Sequence, residues 1–111
     1  MPKALLIDDD ANHAAQLGSL ISSRGLTLVR AISVEDALRT FRNGTCGFDL
    51  VILTMNDCER AWLKILHDLQ QAVAQAALVT APPFLCVSRV SRGIEFEIRV
   101  ERMGARYVAE A

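Results

Sequence analysis

Short apolar runs recur along the chain at intervals that suit the strands of a buried sheet. Residues 4–7 and 84–87 are apolar throughout, and residues 48–53 are apolar apart from Asp49. Such runs lack the polar alternation of a half-solvated strand and are typical of strands covered on both faces of a parallel sheet. Five strands are predicted, over residues 4–7, 26–32, 48–53, 84–87 and 106–108.

Between these strands, apolar residues recur at helical spacing. One helix is predicted to follow Asp10 or Asn12, either of which suits the N-cap, and to end at Gly25. A second helix begins at Ser33, and a third covers about residues 59–76. Strands that alternate with helices predict an α/β fold with helices on both faces of a mostly parallel sheet.

Residues 94–101 support two interpretations. Apolar and charged residues alternate strictly in this segment, which favours a strand with one solvated face. A helix would group Ile94, Ile98 and Met103 but would leave Phe96 and Val100 poorly placed. The local pattern alone does not choose between them.

Composition narrows the class of protein. The chain has 111 residues, the length of one domain spanning residues 1–111, with 51% hydrophobic and 23% charged residues. A net charge of −1 gives no electrostatic reason to bind nucleic acid. No signal peptide or membrane-spanning segment is evident. We therefore expect a cytoplasmic protein without a membrane or nucleic-acid partner.

A few residue types invite a chemical role, and each has a structural explanation. The three cysteines, Cys46, Cys58 and Cys86, form no Cys-x-x-Cys pair, and we expect reduced thiols. His13 and His67 are expected to be surface or partly buried side chains, because no nucleophile and orienting group accompany them. Trp62, which lies one turn into the long helix, either packs in the core or anchors a partner. No phosphate-binding loop is present.

Three segments resemble one family. Residues 3–10 resemble the opening of a bacterial response-regulator receiver domain, residues 48–53 resemble its third strand, and residues 103–108 resemble the approach to its fifth. The resemblance covers nearly the whole chain in the right order. It implies a flavodoxin-like, doubly wound parallel sheet with strand order 2-1-3-4-5 and a site at the carboxyl ends of the strands.

The resemblance also implies a chemistry. In that family a carboxylate after the third strand accepts a phosphoryl group, and two acidic residues hold a magnesium ion that neutralises charge on it. Asp8 and Asp9 match the acidic pair. Ser88 matches the hydroxyl that contacts the phosphoryl group and switches position, and Tyr107 matches an aromatic residue that moves with it.

Two positions depart from the family. Thr54 stands where the acceptor carboxylate belongs, and a hydroxyl cannot form an acyl phosphate. Glu110 stands where a lysine would pair with the phosphoryl group, and its charge would repel that group. Together these changes predict a pseudo-receiver, which keeps the fold without the phosphorylation. Asp57, in the loop after the third strand, is the alternative, displaced acceptor.

The same carboxylates bear on metal binding. Asp8, Asp9, Asp57 and Glu110 could gather a weak or vestigial magnesium or calcium site, but a solvated acidic rim is the favoured interpretation. A third hypothesis is a small-ligand or metal-binding module that uses this rim and Ser88. No cofactor is expected, and no residue set supports an enzyme.

The chain stops about where the family's fifth helix would start, so that helix is expected to be missing, either because the chain is the N-terminal part of a longer regulator or because the helix has been lost. The first helix and the edge near the last strand would then be uncovered, which favours a homodimer. The region 91–103 is where the family has its fourth helix, and the resemblance tips the interpretation slightly toward a helix. A strand there would instead change the surface that the family uses for signalling.

The leading hypothesis is a two-component-type regulatory module in bacterial signalling or transcription control. It would act by protein contact or dimerisation on an output domain.

Overall fold

The strands and helices alternate along the whole chain. A computed structural model describes residues 3–42, 48–55, 59–76, 82–88 and 93–109. The strands are β1 (Lys3–Ile7), β2 (Thr27–Ala31), β3 (Leu50–Met55), β4 (Phe84–Ser88) and β5 (Arg106–Ala109). The helices are α1 (Ala11–Ser22), α2 (Val34–Arg42), α3 (Glu59–Ala76) and α4 (Ile94–Arg102).

The five strands form one parallel sheet in the order β2-β1-β3-β4-β5. This confirms the predicted flavodoxin-like strand order. The central strands β1, β3 and β4 carry the wholly apolar runs, as expected for strands with neighbours on both sides and cover on both faces. Among the described residues, no helix is long and apolar enough to cross a membrane.

Side chains on the two faces of the sheet form two separate apolar clusters. The larger cluster lies under α2, α3 and α4 and includes Leu5, Leu53 and Leu66. The smaller cluster lies under α1 and includes Leu6 and Ile52. Alternate residues of one strand therefore enter different cores, and both are needed to hold the central strands.

The segment from Ile94 to Arg102 is a helix, so the strand interpretation suggested by its alternating pattern is wrong. The buried residues also differ from the helical grouping considered above. Phe96 and Val100 face the larger core, whereas Ile94 and Ile98 are exposed. Phe96, Val100 and Met103 follow one another at four- and three-residue spacing, which places them on one side of a helix. Packing in the core therefore outweighed the local period-two pattern.

Capping side chains set the beginning of the first two helices. Asp10 is the N-cap of α1, and its Oδ1 accepts hydrogen bonds from the backbone N–H groups of Asn12 and His13. Ser33 precedes α2, and its Oγ accepts from the N–H of Asp36. The Asp36 carboxylate accepts from the N–H of Ile32, one residue before Ser33, so the two side chains bond in both directions across the start of α2, much as in a capping box.

Trp62 belongs to the core. Its side chain stacks on Phe96 of α4 with ring centroids 4.8 Å apart, and it meets Tyr107 of β5 edge-on at 6.4 Å. Phe96 and Tyr107 also meet edge-on, at 5.6 Å. These three rings, called the aromatic trio below, join α3, α4 and β5.

Candidate functional site

The carboxyl ends of the strands bring three of the predicted site residues to one edge. Ile7 is in register with Leu53, so Asp8 and Thr54 follow paired positions of β1 and β3. Thr54 pairs in turn with Val87, the residue before Ser88. We call this edge, with Asp8, Thr54 and Ser88, the carboxyl edge. Open parallel sheets generally bind ligands there.

Asp8 is buried, with only 3% of its surface exposed, and both of its carboxylate oxygens have partners. Oδ1 accepts a hydrogen bond from the backbone N–H of Asp10 at 2.9 Å. Oδ2 lies 2.5 Å from Nδ1 of His13. An ionised carboxylate only accepts hydrogen bonds, so Nδ1 of His13 carries the proton and donates it. His13 is itself 9% exposed, which makes this a short, largely desolvated contact.

The folding of the β1–α1 connection explains how His13 reaches Asp8. The Asp10 cap starts α1 at Ala11, so His13 lies in the first helical turn, directly above the end of β1. Arg30 of β2 also fixes the backbone at Asp8, because its guanidinium donates to the carbonyl of Asp8 at 2.9 and 3.2 Å. Asp9, by contrast, is exposed.

Thr54 is half-buried near the end of β3. Its hydroxyl donates a hydrogen bond to the backbone carbonyl of Ile7 at 3.0 Å. The side chain that the resemblance aligns with the acceptor carboxylate is thus tied to the neighbouring strand.

Ser88 and Tyr107 are the residues that the resemblance aligns with the switch hydroxyl and the aromatic residue that moves with it. Both side chains are at least partly buried. Ser88 is fully buried at the end of β4. Tyr107 is half-buried on β5, where its ring meets those of Trp62 and Phe96 edge-on. The ring contacts join Tyr107 to α4, the helix that follows the β4 strand.

Asp57 and Glu110 lie outside the described residues, as do Cys46 and Cys58. The remaining cysteine, Cys86, is a buried free thiol in the middle of β4. Desolvation by burial raises the pKa of this thiol to about 12. Cys86 therefore stays a protonated, apolar core residue and supplies no nucleophile to the carboxyl edge.

The described donors do not fit a magnesium ion. Magnesium requires several oxygen ligands in octahedral geometry, with open lone pairs on at least one or two carboxylates. Each oxygen of Asp8 already accepts a hydrogen bond, from the His13 ring or from a backbone N–H, so Asp9 is the one carboxylate of the predicted pair that is open to solvent. The Thr54 hydroxyl donates to a carbonyl. Among the described ranges, no three His, Cys, Asp or Glu side chains converge in the manner of a metal site.

Sequence reasoning missed the partnership of His13 with Asp8. It placed both residues near the end of β1 but treated the histidine as a surface or partly buried group. One signal was available, because an Asp at the end of a strand and a His in the first turn of the next helix lie at the same edge. The burial of both residues was not readable from the sequence.

Comparisons with known proteins identify the fold. No family model matches the chain, and no curated protein does. A receiver domain from Clostridium thermocellum matches with a TM-score of 0.77 at 20% identity, over 99% of this chain and 82% of that chain. The chemotaxis protein CheY4 of Vibrio cholerae matches with 0.76 at 17% identity, over 99% and 87%. A receiver domain of a Francisella response regulator matches with 0.71 at 22%, over 99% and 84%. The chain therefore has the fold of response-regulator receiver domains.

Proposed function

We propose that this chain is a pseudo-receiver, a regulatory module of the two-component type that works without phosphorylation. It would act by protein contact or dimerisation on an output domain, and it would not be an enzyme. The fold shared with receiver domains supports the signalling class. The chemistry at the carboxyl edge supports the loss of phosphorylation.

The observation that carries this proposal is the state of Thr54. The hydroxyl lies at the end of β3 and donates its proton to the Ile7 carbonyl, 3.0 Å away. A neutral hydroxyl is a poor nucleophile without a base to remove that proton, and a backbone carbonyl is not such a base. Phosphoryl transfer to Thr54 is therefore disfavoured by both its chemistry and its position.

Intact mass after incubation with acetyl phosphate and Mg²⁺ tests this proposal. We expect the wild-type chain to show no phosphoryl adduct, because a threonine hydroxyl that donates to a backbone carbonyl stands at the acceptor position. A receiver domain known to accept phosphate from acetyl phosphate serves as the positive control in the same buffer.

Two variants separate the alternatives in that experiment. An adduct that disappears in Asp57→Asn but persists in Asp49→Asn would make Asp57 a displaced acceptor and would overturn the proposal. Asp49 is a matched control carboxylate, since it lies at the opposite end of β3 and accepts from the backbone N–H of Lys3. An adduct that survives hydroxylamine would instead be an ester on a hydroxyl such as that of Thr54.

The second part of the proposal, dimerisation, concerns the sheet face that carries α1. Val108 is in register with Val87 of the smaller core and so shares its face, yet it is 48% exposed. On α1, a Cβ at Gly18 would come within 3.0 Å of Leu28 on β2. Residues two apart on a helix point in nearly opposite directions, so Leu20 lies on the side of α1 away from β2.

We call Leu20 of α1, Leu85 of β4 and Val108 of β5 the open face, because Leu85 and Val108 lie on the sheet face that α1 covers. Leu20 is 58% exposed. We propose that a second copy of the chain covers it. Helix α1 contains no Asp, Glu, Lys or Arg, and the net charge of the chain is −1. Two copies therefore approach each other there with little repulsion, and burial of apolar surface favours the contact.

Sedimentation of the wild type and two surface variants tests the dimer. We expect the mass to rise toward twice the monomer value with concentration, and Val108→Lys to return it to the monomer. Ile98→Lys is the matched control, because Ile98 is 40% exposed on α4, which packs on the other face of the sheet. A dimer broken only by Ile98→Lys would assign the interface to α4. A wild type that stays monomeric at every concentration would make the dimer proposal wrong.

A further inference from the structure

The contact between Asp8 and His13 has features that an ordinary surface ion pair lacks. The two side chains are 3% and 9% exposed and are joined at 2.5 Å. Asp8 lies at the carboxyl edge, next to β3, which carries Thr54 near its end. A buried carboxylate needs a partner, because desolvation of an unpaired charge is costly. His13 supplies that partner from within the chain.

A bound divalent cation would have to compete with His13 for the same oxygen. Oδ2 accepts from the imidazole Nδ1–H, and Oδ1 accepts from the N–H of Asp10. Each oxygen keeps a second lone pair, but Asp8 is buried, so a cation that binds Oδ2 has to displace the imidazole N–H or share the oxygen with it. The His13 ring belongs to the first turn of α1. The Asp10 cap fixes this turn, so the ring is held close to Asp8.

We propose that His13 occupies the place of a divalent cation beside Asp8 and makes the carboxyl edge independent of metal. The histidine acts as a positioning residue. Its hydrogen bond fixes the orientation of the Asp8 carboxylate, so the buried carboxylate has a partner without a bound ion. This inference depends neither on the proposed dimer nor on the proposed loss of phosphorylation, so its test is independent of both.

Mn²⁺ binding to the full chain tests the proposal, with affinity measured by electron paramagnetic resonance of the free ion. We expect the His13→Ala variant to bind one Mn²⁺ about ten- to hundredfold more tightly than the wild type, since the cation no longer competes with the imidazole N–H for Oδ2. Mn²⁺ should also raise the melting temperature of His13→Ala more than that of the wild type. The double variant His13→Ala with Asp8→Asn should lose the gained affinity.

Two further variants control for unrelated effects. His67→Ala removes an exposed histidine on α3 and should behave as the wild type. His13→Lys places another N–H donor beside Asp8 and should again bind Mn²⁺ weakly. A purely structural role for His13 would predict lower stability in His13→Ala without any change in metal affinity.

Several outcomes overturn the proposal. Equal Mn²⁺ affinity of wild type and His13→Ala would do so, whether both bind tightly or neither binds. Gained affinity that survives Asp8→Asn would place the metal elsewhere.

A measurement on the wild type keeps the proposal testable if His13→Ala does not fold. Long-range ¹H–¹⁵N spectra should show the proton of the His13 ring on Nδ1, and added Mn²⁺ should leave the amide signals of Asp8 and Asp9 unbroadened. An unprotonated Nδ1, or saturable broadening of those two amides, would contradict it.

Discussion

Replacing Trp62 with alanine is expected to lower the free energy of unfolding by about 3–5 kcal/mol, the usual loss for a large aromatic residue removed from a core. The side chain is 1% exposed and belongs to the larger core under α2, α3 and α4. It also stacks on Phe96 at 4.8 Å, so the variant loses a ring contact as well as buried area. A loss of this size is about a third or more of the stability of a small domain.

Urea denaturation followed by far-UV circular dichroism measures this effect, because Trp62 is the single tryptophan and its fluorescence disappears with it. Trp62→Phe is the matched control. The indole Nε1 is buried without a hydrogen-bond partner in the part of the chain that the structure describes. Phenylalanine removes this unsatisfied donor while keeping a stacking ring, so it should lose much less. Equal losses for alanine and phenylalanine would contradict the assigned role of the stack.

The aromatic trio also couples the elements that it joins. Its rings come from α3, α4 and β5, so a movement of Tyr107 must repack Phe96 and Trp62. Packed cores move between discrete arrangements and do not deform continuously. Movement of α4 relative to β5 is thereby coupled to α3.

The fold was predictable from the sequence because several independent sequence patterns indicate the same architecture. Wholly apolar runs at β1, β3 and β4 required a sheet covered on both faces, and their alternation with helices required parallel strands. The long helix α3 occupies Glu59–Ala76, as its apolar spacing indicated. Each of these signals comes from many residues, so an ambiguity at one position changes little.

Helix α4 shows where such reasoning fails. The eight residues from Ile94 to Glu101 alternate apolar and charged side chains, and a helix and a strand then compete on nearly equal terms. The choice depended on whether Phe96 and Val100 could share one side facing the core. Only the position of α3 and β5 provides that information, because Phe96 packs against Trp62 and Tyr107.

The candidate site was predictable in its placement but not in its contacts. Parallel strands must bring Asp8, Thr54 and Ser88 to one edge once their order is known. The partner of each group depends on side-chain direction and burial. The bond from Thr54 to Ile7 and the bond from His13 to Asp8 both arise at that level. The roles of Asp57 and Glu110, and the homodimer, stay predictions.

Replacing Asp8 with alanine is expected to lower the free energy of unfolding by about 3 kcal/mol, as removal of one partner from a buried pair leaves the other unsatisfied. The variant removes the carboxylate acceptor of two donors, the His13 Nδ1–H and the N–H of Asp10. Asp8→Asn keeps an oxygen acceptor and should lose less. Asp9→Ala removes an exposed carboxylate and should change stability by less than about 0.5 kcal/mol.

The sign of the Asp8→Ala effect, measured by urea denaturation without divalent ions, decides what the acidic residues are for. A site that clusters carboxylates for a metal repels itself when the metal is absent, so removing one carboxylate stabilises the fold. A carboxylate already satisfied by His13 stabilises the fold, and its removal does the opposite. A loss near 3 kcal/mol would therefore identify Asp8 as a structural partner of α1. A gain in stability would return it to the class of ligand residues and would contradict the role assigned to His13.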